Sequence, residues 1–165
     1  MAHFQENAAM KGDPKVISDL NEYLSFELTG HRQYLLHAGM CRHWGFERLA
    51  RIQDAYSAEE TQHAARIIAR ILMLDGVAAP RDFRPIVGAP TVPEQLALDS
   101  ELVGGAIVHL RTAITACEQS RDFVSRDLLR EMLDDEERHL YWLETETALI
   151  DKVGLENYLQ TQTTT

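Results

Sequence analysis

Two helical segments of this chain carry the same pairing of a carboxylate and an imidazole three residues apart: Glu60 with His63, and Glu136 with His139. Residues three apart share one face of a helix, so each pair can aim both side chains at a single point. Glu27 lies on a third segment, seven residues before Tyr34 and on the same face. All five positions fall within otherwise apolar stripes. An isolated carboxylate in an apolar core costs several kcal/mol unless it is paired, protonated or bound to a metal. Three carboxylates and two imidazoles converging from three helices therefore call for a cation. Oxygen plus imidazole ligation points to iron, manganese or zinc rather than to calcium or a thiolate-held metal. A Glu from each of two helices together with Glu-x-x-His from two others is the di-iron carboxylate arrangement of helical bundles.

The elements that must position these residues are legible in the spacing. Asp13-Pro14 reads as an N-cap followed by proline in the first turn, opening a stripe of Leu20, Leu24, Glu27, His31, Tyr34 and Ala38 that Trp44-Gly45 ends. A second helix is expected over residues 46–75, with Leu49, Ile52, Tyr56, Glu60, His63, Ile67, Ile71 and Leu74 on one face and Gly76 as its C′ glycine. Residues 77–93 contain four prolines and read as a crossover, not a tight hairpin. At ~3.3 Å per residue this segment reaches ~56 Å, whereas a helix of about 30 residues is ~45 Å long. It can therefore run the length of the bundle and start the third helix parallel to the second. That helix is expected over residues 94–120, with Leu96, Asp99, Val103, Ala106, Leu110, Ala113 and Cys117 inward. A fourth follows over 123–152 with Leu128, Met132, Glu136, His139 and Leu143 inward, then a short fifth over 155–160. The fold class is thus all-α, a ferritin-like four-helix bundle with one long crossover and a short C-terminal helix. Residues 10–160 are expected to form one domain, between a flexible extension at 1–9 and a frayed tail at 161–165.

The bulk properties exclude other classes. With 165 residues, 45% apolar and 25% charged, the chain suits one domain with a real core. A formal net charge of −10 argues against a nucleic-acid partner and against adhesion to anionic membranes. Cys41 and Cys117 form no metal or disulfide motif and read as two reduced, buried thiols. No secretory h-region or bilayer-length apolar run is present, so a cytoplasmic protein is expected. His31 reads as a hydrogen-bonded core or pore histidine, and His37, His43 and His109 as surface or structural.

The chain resembles bacterioferritins from about residue 10 to 162. The resemblance rests on Met10-Lys11-Gly12-Asp13, Gln33-Tyr34-Leu35-Leu36-His37-Ala38, Glu59-Glu60 followed by His63-Ala64, Val124-Ser125-Arg126-Asp127, Asp135-Glu136-Glu137 with His139, and Trp142-Leu143-Glu144-Thr145-Glu146. It extends to the ending Gly154-Leu155-Glu156-Asn157-Tyr158-Leu159-Gln160. It implies a 24-subunit cage that oxidises Fe(II) at an intra-subunit di-iron site and stores Fe(III) mineral. On that pattern Glu27 and His63 hold one iron, Glu60 and Glu136 bridge, and His139 holds the second, with Tyr34 and Trp142 as nearby aromatics.

Two departures qualify these expectations. The glutamate that the family carries on helix three falls at Val103. Glu101 lies ~200° away around the helix, and Asp99, one turn away on the right face, has a short reach. The resemblance then implies a ferroxidase with an incomplete ligand set, binding a di-iron pair or a single iron. The methionine that ligates haem in the family is replaced by Thr61, a poor axial ligand, so haem is not expected from this chain alone. Both departures together suggest a structural subunit, co-assembled with a second bacterioferritin subunit type, as the competing function.

Overall fold

Asp13 caps the first helix as its sequence requires: its side chain accepts a 2.7 Å hydrogen bond from the Lys15 N–H, with Pro14 in the first turn. In the computed structural model, which describes residues 10–163, five helices follow one another: α1 (Pro14–His43), α2 (Glu47–Met73), α3 (Val92–Gln119), α4 (Phe123–Val153) and α5 (Leu155–Gln160). No strand occurs among the described residues. The bundle is ferritin-like, as expected, with α1 packed chiefly on α2 and α3 on α4.

The helix boundaries depart from expectation at two places. α2 ends at Met73, and the residue that takes the left-handed conformation is Asp75 (φ 59°), not Gly76. Gly76 instead donates its N–H to the Ile71 carbonyl at 2.9 Å, the closing bond of a Schellman motif. A Cβ there would lie 3.0 Å from both the Ile17 side chain and that carbonyl, so glycine serves close approach. α3 starts two residues before expectation because Pro93 sits in its first turn, where a missing N–H costs nothing. Thr91 caps it and donates to Glu94 Oε2 at 2.7 Å.

The crossover is held along α1 by side chains that act as backbone surrogates. Asn21 accepts from Ala79 N–H (2.6 Å) and donates to the Val77 carbonyl (3.0 Å), and Ser25 accepts from Arg81 N–H. Gln33 exchanges two bonds with the Val87 backbone, at 2.7 and 3.1 Å. The chain thus climbs α1 from its start toward its end and launches α3 parallel to α2.

The tail is tighter than expected as far as residue 163. Gln162 is fully buried and its carbonyl accepts from Arg48 N–H at 3.0 Å, while Tyr158 donates to Glu146 at 2.6 Å. The proposed extension at 1–9 and residues 164–165 lie outside the described residues.

At the far end, Arg70 is 7% exposed and bonds Ser125 Oγ (2.8 Å) and Asp122 (2.7 Å), joining the end of α2 to the cap of α4. Burial pushes the Asp122 carboxyl up, but bonds from Ser125 and the Arg70 guanidinium outweigh it and hold it below the usual carboxylate range. Arg70→Ala, which strands that carboxylate, is expected to cost about 3 kcal/mol, read as a lower urea midpoint with unchanged slope.

Candidate metal centre

Two apolar clusters of the core flank a polar level built from α1, α2 and α4. One core cluster contains Leu24, Ala64, Ile67, Ala106 and Met132. The other contains Cys41, Ala50, Val103 and Leu143. Glu27 of α1, Glu60 and His63 of α2, and Glu136 and His139 of α4 lie between these clusters, all buried. They form two ligand groups, Glu27–Glu60–His63 and Glu60–Glu136–His139, whose donor atoms lie within 4.8 Å of one another in each group. Glu60 belongs to both. Gly30 makes room for it: a Cβ there would stand 3.3 Å from Glu60 Cγ and Cδ.

The polar atoms of this layer are short of partners. Both Glu27 oxygens, His63 Nδ1 and His139 Nε2 are buried without a hydrogen bond. His63 Nδ1 stands 3.4 Å from Glu27 Oε2, while Nε2 faces Asp135 Oδ2 at 3.2 Å. Asp135 can accept from Nε2–H, which leaves the Nδ1 lone pair pointing into the layer, the usual tautomer of a metal-ligating histidine. Tyr23 donates to Glu136 Oε1 at 3.3 Å.

Burial dominates the electrostatics. It pushes the Glu27 carboxyl up to about 8. Glu60 and Glu136 are raised well above the carboxylate range, by burial first and then by neighbouring carboxylates. The same burial lowers His63 and brings His139 down to about 3, so both rings are neutral donors. Without a cation, burial favours the protonated carboxyl and the neutral imidazole throughout the layer. Orphaned donor atoms that a divalent ion would satisfy make it a fit for iron.

Among the described residues, none from α3 belongs to either of these two groups. Val103 is 1% exposed and packed in the apolar cluster. Glu101 is exposed beside the crossover, lining a cavity with Thr29, Gln33 and Arg84. Asp99 is fully buried but held by His37 (3.0 Å) and Gln53 (2.9 Å). His37 is therefore a core residue with a structural partner. Thr61 is exposed and bonds His31 Nδ1 and the Ser57 carbonyl, each at 3.0 Å, consistent with His31 as a hydrogen-bonded histidine.

Of the expected aromatics, Tyr34 contacts His139 edge-on at 5.1 Å and Trp142 stands at 6.3 Å. Tyr56, read from the sequence only as a stripe residue, stacks on His139 at 3.5 Å. Tyr23 and Asp135 were also missed as neighbours of the site. Asp135 stood in an acidic run with nothing but its position beside Glu136 to single it out.

Residues 17–153 match the family model of the ferritin-like domain. The chain is 45% identical over 156 residues to the bacterial ferritin of Pseudomonas aeruginosa, covering 93% of this chain and 99% of that protein. The chain belongs to the ferritin-like family. Its relatives also include the bacterial ferritin of Synechocystis sp., 43% identical over 93% of this chain and 99% of that protein. The bacterioferritin of Mycolicibacterium paratuberculosis is 38% identical over 90% of this chain and 94% of its own length. In this ferritin-like chain every residue of the polar layer lies within the matched range.

Proposed function

We propose that the chain is a subunit of a bacterioferritin-type iron-storage cage of 24 subunits, binding Fe(II) in the polar layer and oxidising it for storage as Fe(III) mineral. The observation that carries this reading is the pair of buried ligand groups sharing Glu60, with four donor atoms left without partners. Glu27 and His63 would hold one iron, His139 the second, and Glu60 and Glu136 would lie between them. The iron supplies the redox chemistry, passing electrons to oxygen or peroxide; the protein supplies position, dryness and neutral imidazoles. The net charge of −10 suits a cation cargo and a cytoplasmic, membrane-free and nucleic-acid-free existence, and no described helix is long and apolar enough to cross a membrane.

Val103 bears on how complete the chemistry is. Two Fe(II) ions bring four positive charges to three carboxylates, so the second ion binds less tightly. Anaerobic Fe(II) titration of metal-free protein tests the reading, scored as the tight ions that Glu60→Gln no longer binds: two per subunit indicate a working pair, one a disabled pair, and none overturns the proposal. Val103→Glu is expected to tighten the weaker ion by about tenfold or more, since one charge-assisted contact is worth ~1.5–3 kcal/mol. Unchanged stoichiometry and oxidation rate would count against Val103 as the limiting position.

A second reading is favoured by the same two residues: a structural subunit in a heteromeric cage, with Val103 closing the iron slot and Thr61 offering no haem ligand. Native mass spectrometry of cages from the source cells separates the readings, since a second subunit type carrying haem supports only the latter.

A further inference from the structure

Away from the polar layer, in the groove between α1 and α3, a second set of ligand-type side chains converges. Asp19 and Glu22 of α1 and His109 of α3 each bring one donor atom to within 4.8 Å of the others. Asp19 is 3% exposed. Its Oδ1 is held by Lys15, but its Oδ2 is buried with no hydrogen-bond partner. A buried carboxylate oxygen left bare is costly, and it is the first sign that something is missing here.

His109 supplies the second sign. Its Nε2 lies 2.9 Å from the backbone carbonyl of Asp19. A carbonyl only accepts, so Nε2 carries the hydrogen, and the neutral ring presents a lone pair at Nδ1. That Nδ1 stands 3.4 Å from Glu22 Oε1, an atom that also has only lone pairs. The ring is fixed in this pose by Tyr23 and Phe26, which stack on it at 6.4 and 5.8 Å. Glu22 Oε1 and His109 Nδ1 thus face each other as two acceptors, and Asp19, with its Oδ2 bare, belongs to the same cluster.

We propose that Asp19, Glu22 and His109 form a second divalent-cation site, distinct from the layer that contains Glu60. Two carboxylates and one imidazole suit Fe(II), Zn(II), Mn(II) or Co(II), and three protein ligands leave positions for water. The site is reachable without crossing the bundle core. The Glu22 side chain is 63% exposed and borders a cavity of about 780 Å³ under the crossover. Lys15, 62% exposed at its side chain, is free to swing into water as an ion takes its place on Asp19. The competing occupant is a proton on His109. An imidazolium satisfies Glu22 but leaves Asp19 Oδ2 bare, so participation of Asp19 separates the two.

The test soaks crystals of the metal-free protein in Zn(II) and collects anomalous data on both sides of the zinc edge. A peak bonded to Asp19, Glu22 and His109 is expected, with Asp19→Asn and His109→Gln each lowering the zinc retained after desalting by one ion per subunit. Glu60→Gln should leave this peak in place, so the outcome is independent of what the central layer does. No density at the cluster, density that omits Asp19, or retention unchanged in both variants would overturn the proposal. Should a variant fail to fold, the wild-type map alone decides.

Discussion

Glu60→Gln is expected to abolish tight iron binding at both central positions and to slow Fe(II) oxidation by more than 100-fold. Glu60 is the one side chain common to the two ligand groups, so its loss removes a donor from each. Removing a group that only hydrogen-bonds a metal ligand already costs about 10–100-fold, and loss of a shared ligand should exceed that. Glutamine keeps the shape of the side chain beside Gly30, where a Cβ would stand only 3.3 Å away, so packing is preserved. It also relieves the apo protein of a buried ionisable group, and the melting temperature without metal should stay level or rise. Stopped-flow oxidation with a matched melting curve gives both readouts. A variant that oxidises Fe(II) at the wild-type rate would place the chemistry elsewhere.

The second large effect is a pH dependence of stability that metal should erase. In the metal-free protein Glu27 is raised from 4.5 to about 8, and burial also raises Glu60 and Glu136 well above the usual carboxylate range. A carboxyl raised in the folded state gives stability that is fully present below its unfolded value and is lost as pH rises through the folded one. Between these values the unfolded chain has released the proton and the folded chain has not, so unfolding gains ~1.4 kcal/mol per pH unit for each such group. His139 acts in the opposite direction. Lowered to about 3, it contributes stability above 6.5 that is lost as pH falls. From pH 6.5 to 8 the imidazole contribution is constant, and the carboxyls alone make stability change with pH. Metal-free protein is therefore expected to lose several degrees of melting temperature over that window. Protein loaded with two divalent ions, whose carboxylates are already ionised, should not. Binding should also release protons at pH 7, measurable by calorimetry in buffers of different ionisation enthalpy. A flat apo profile would mean that the carboxyls are ionised and solvated within the layer.

Both effects depend on features that differ in how far the sequence reveals them. Helical period alone fixes the angle of each residue around its own axis. That is why Glu27, Glu60, His63, Glu136 and His139 could be assigned to inward faces, and why the crossover announced itself through four prolines and its reach. The family resemblance, not the period, singles out Val103 as the slot of the helix-three glutamate, whereas the period turns Glu101 off that face; the structure buries Val103 and exposes Glu101. In α4 the apolar stripe is less sharply legible, for Leu129 is the fully buried residue and Leu128 only flanks the core.

What the period cannot supply is the axial offset and rotation of one helix against another, which decide the partners of a side chain. Asp99 was on the right face, yet only the packing of α1 and α2 against α3 gives it to His37 and Gln53 instead of to the central layer. Tyr56 and Tyr34 both lie on inward stripes, but only the packed bundle lays Tyr56 flat on His139 and sets Tyr34 edge-on to it. His109, with no spacing to recommend it, meets Asp19 and Glu22 only because α3 crosses α1 at that height. Even at the end of α2, where Asp75 takes the left-handed turn, the need for glycine at 76 comes from Ile17 closing in from another helix. Residue type and spacing determined which chemistry this chain can hold; interhelical packing decided which of its polar atoms are left without a partner, because burial and pairing belong to surfaces that meet only in the folded bundle.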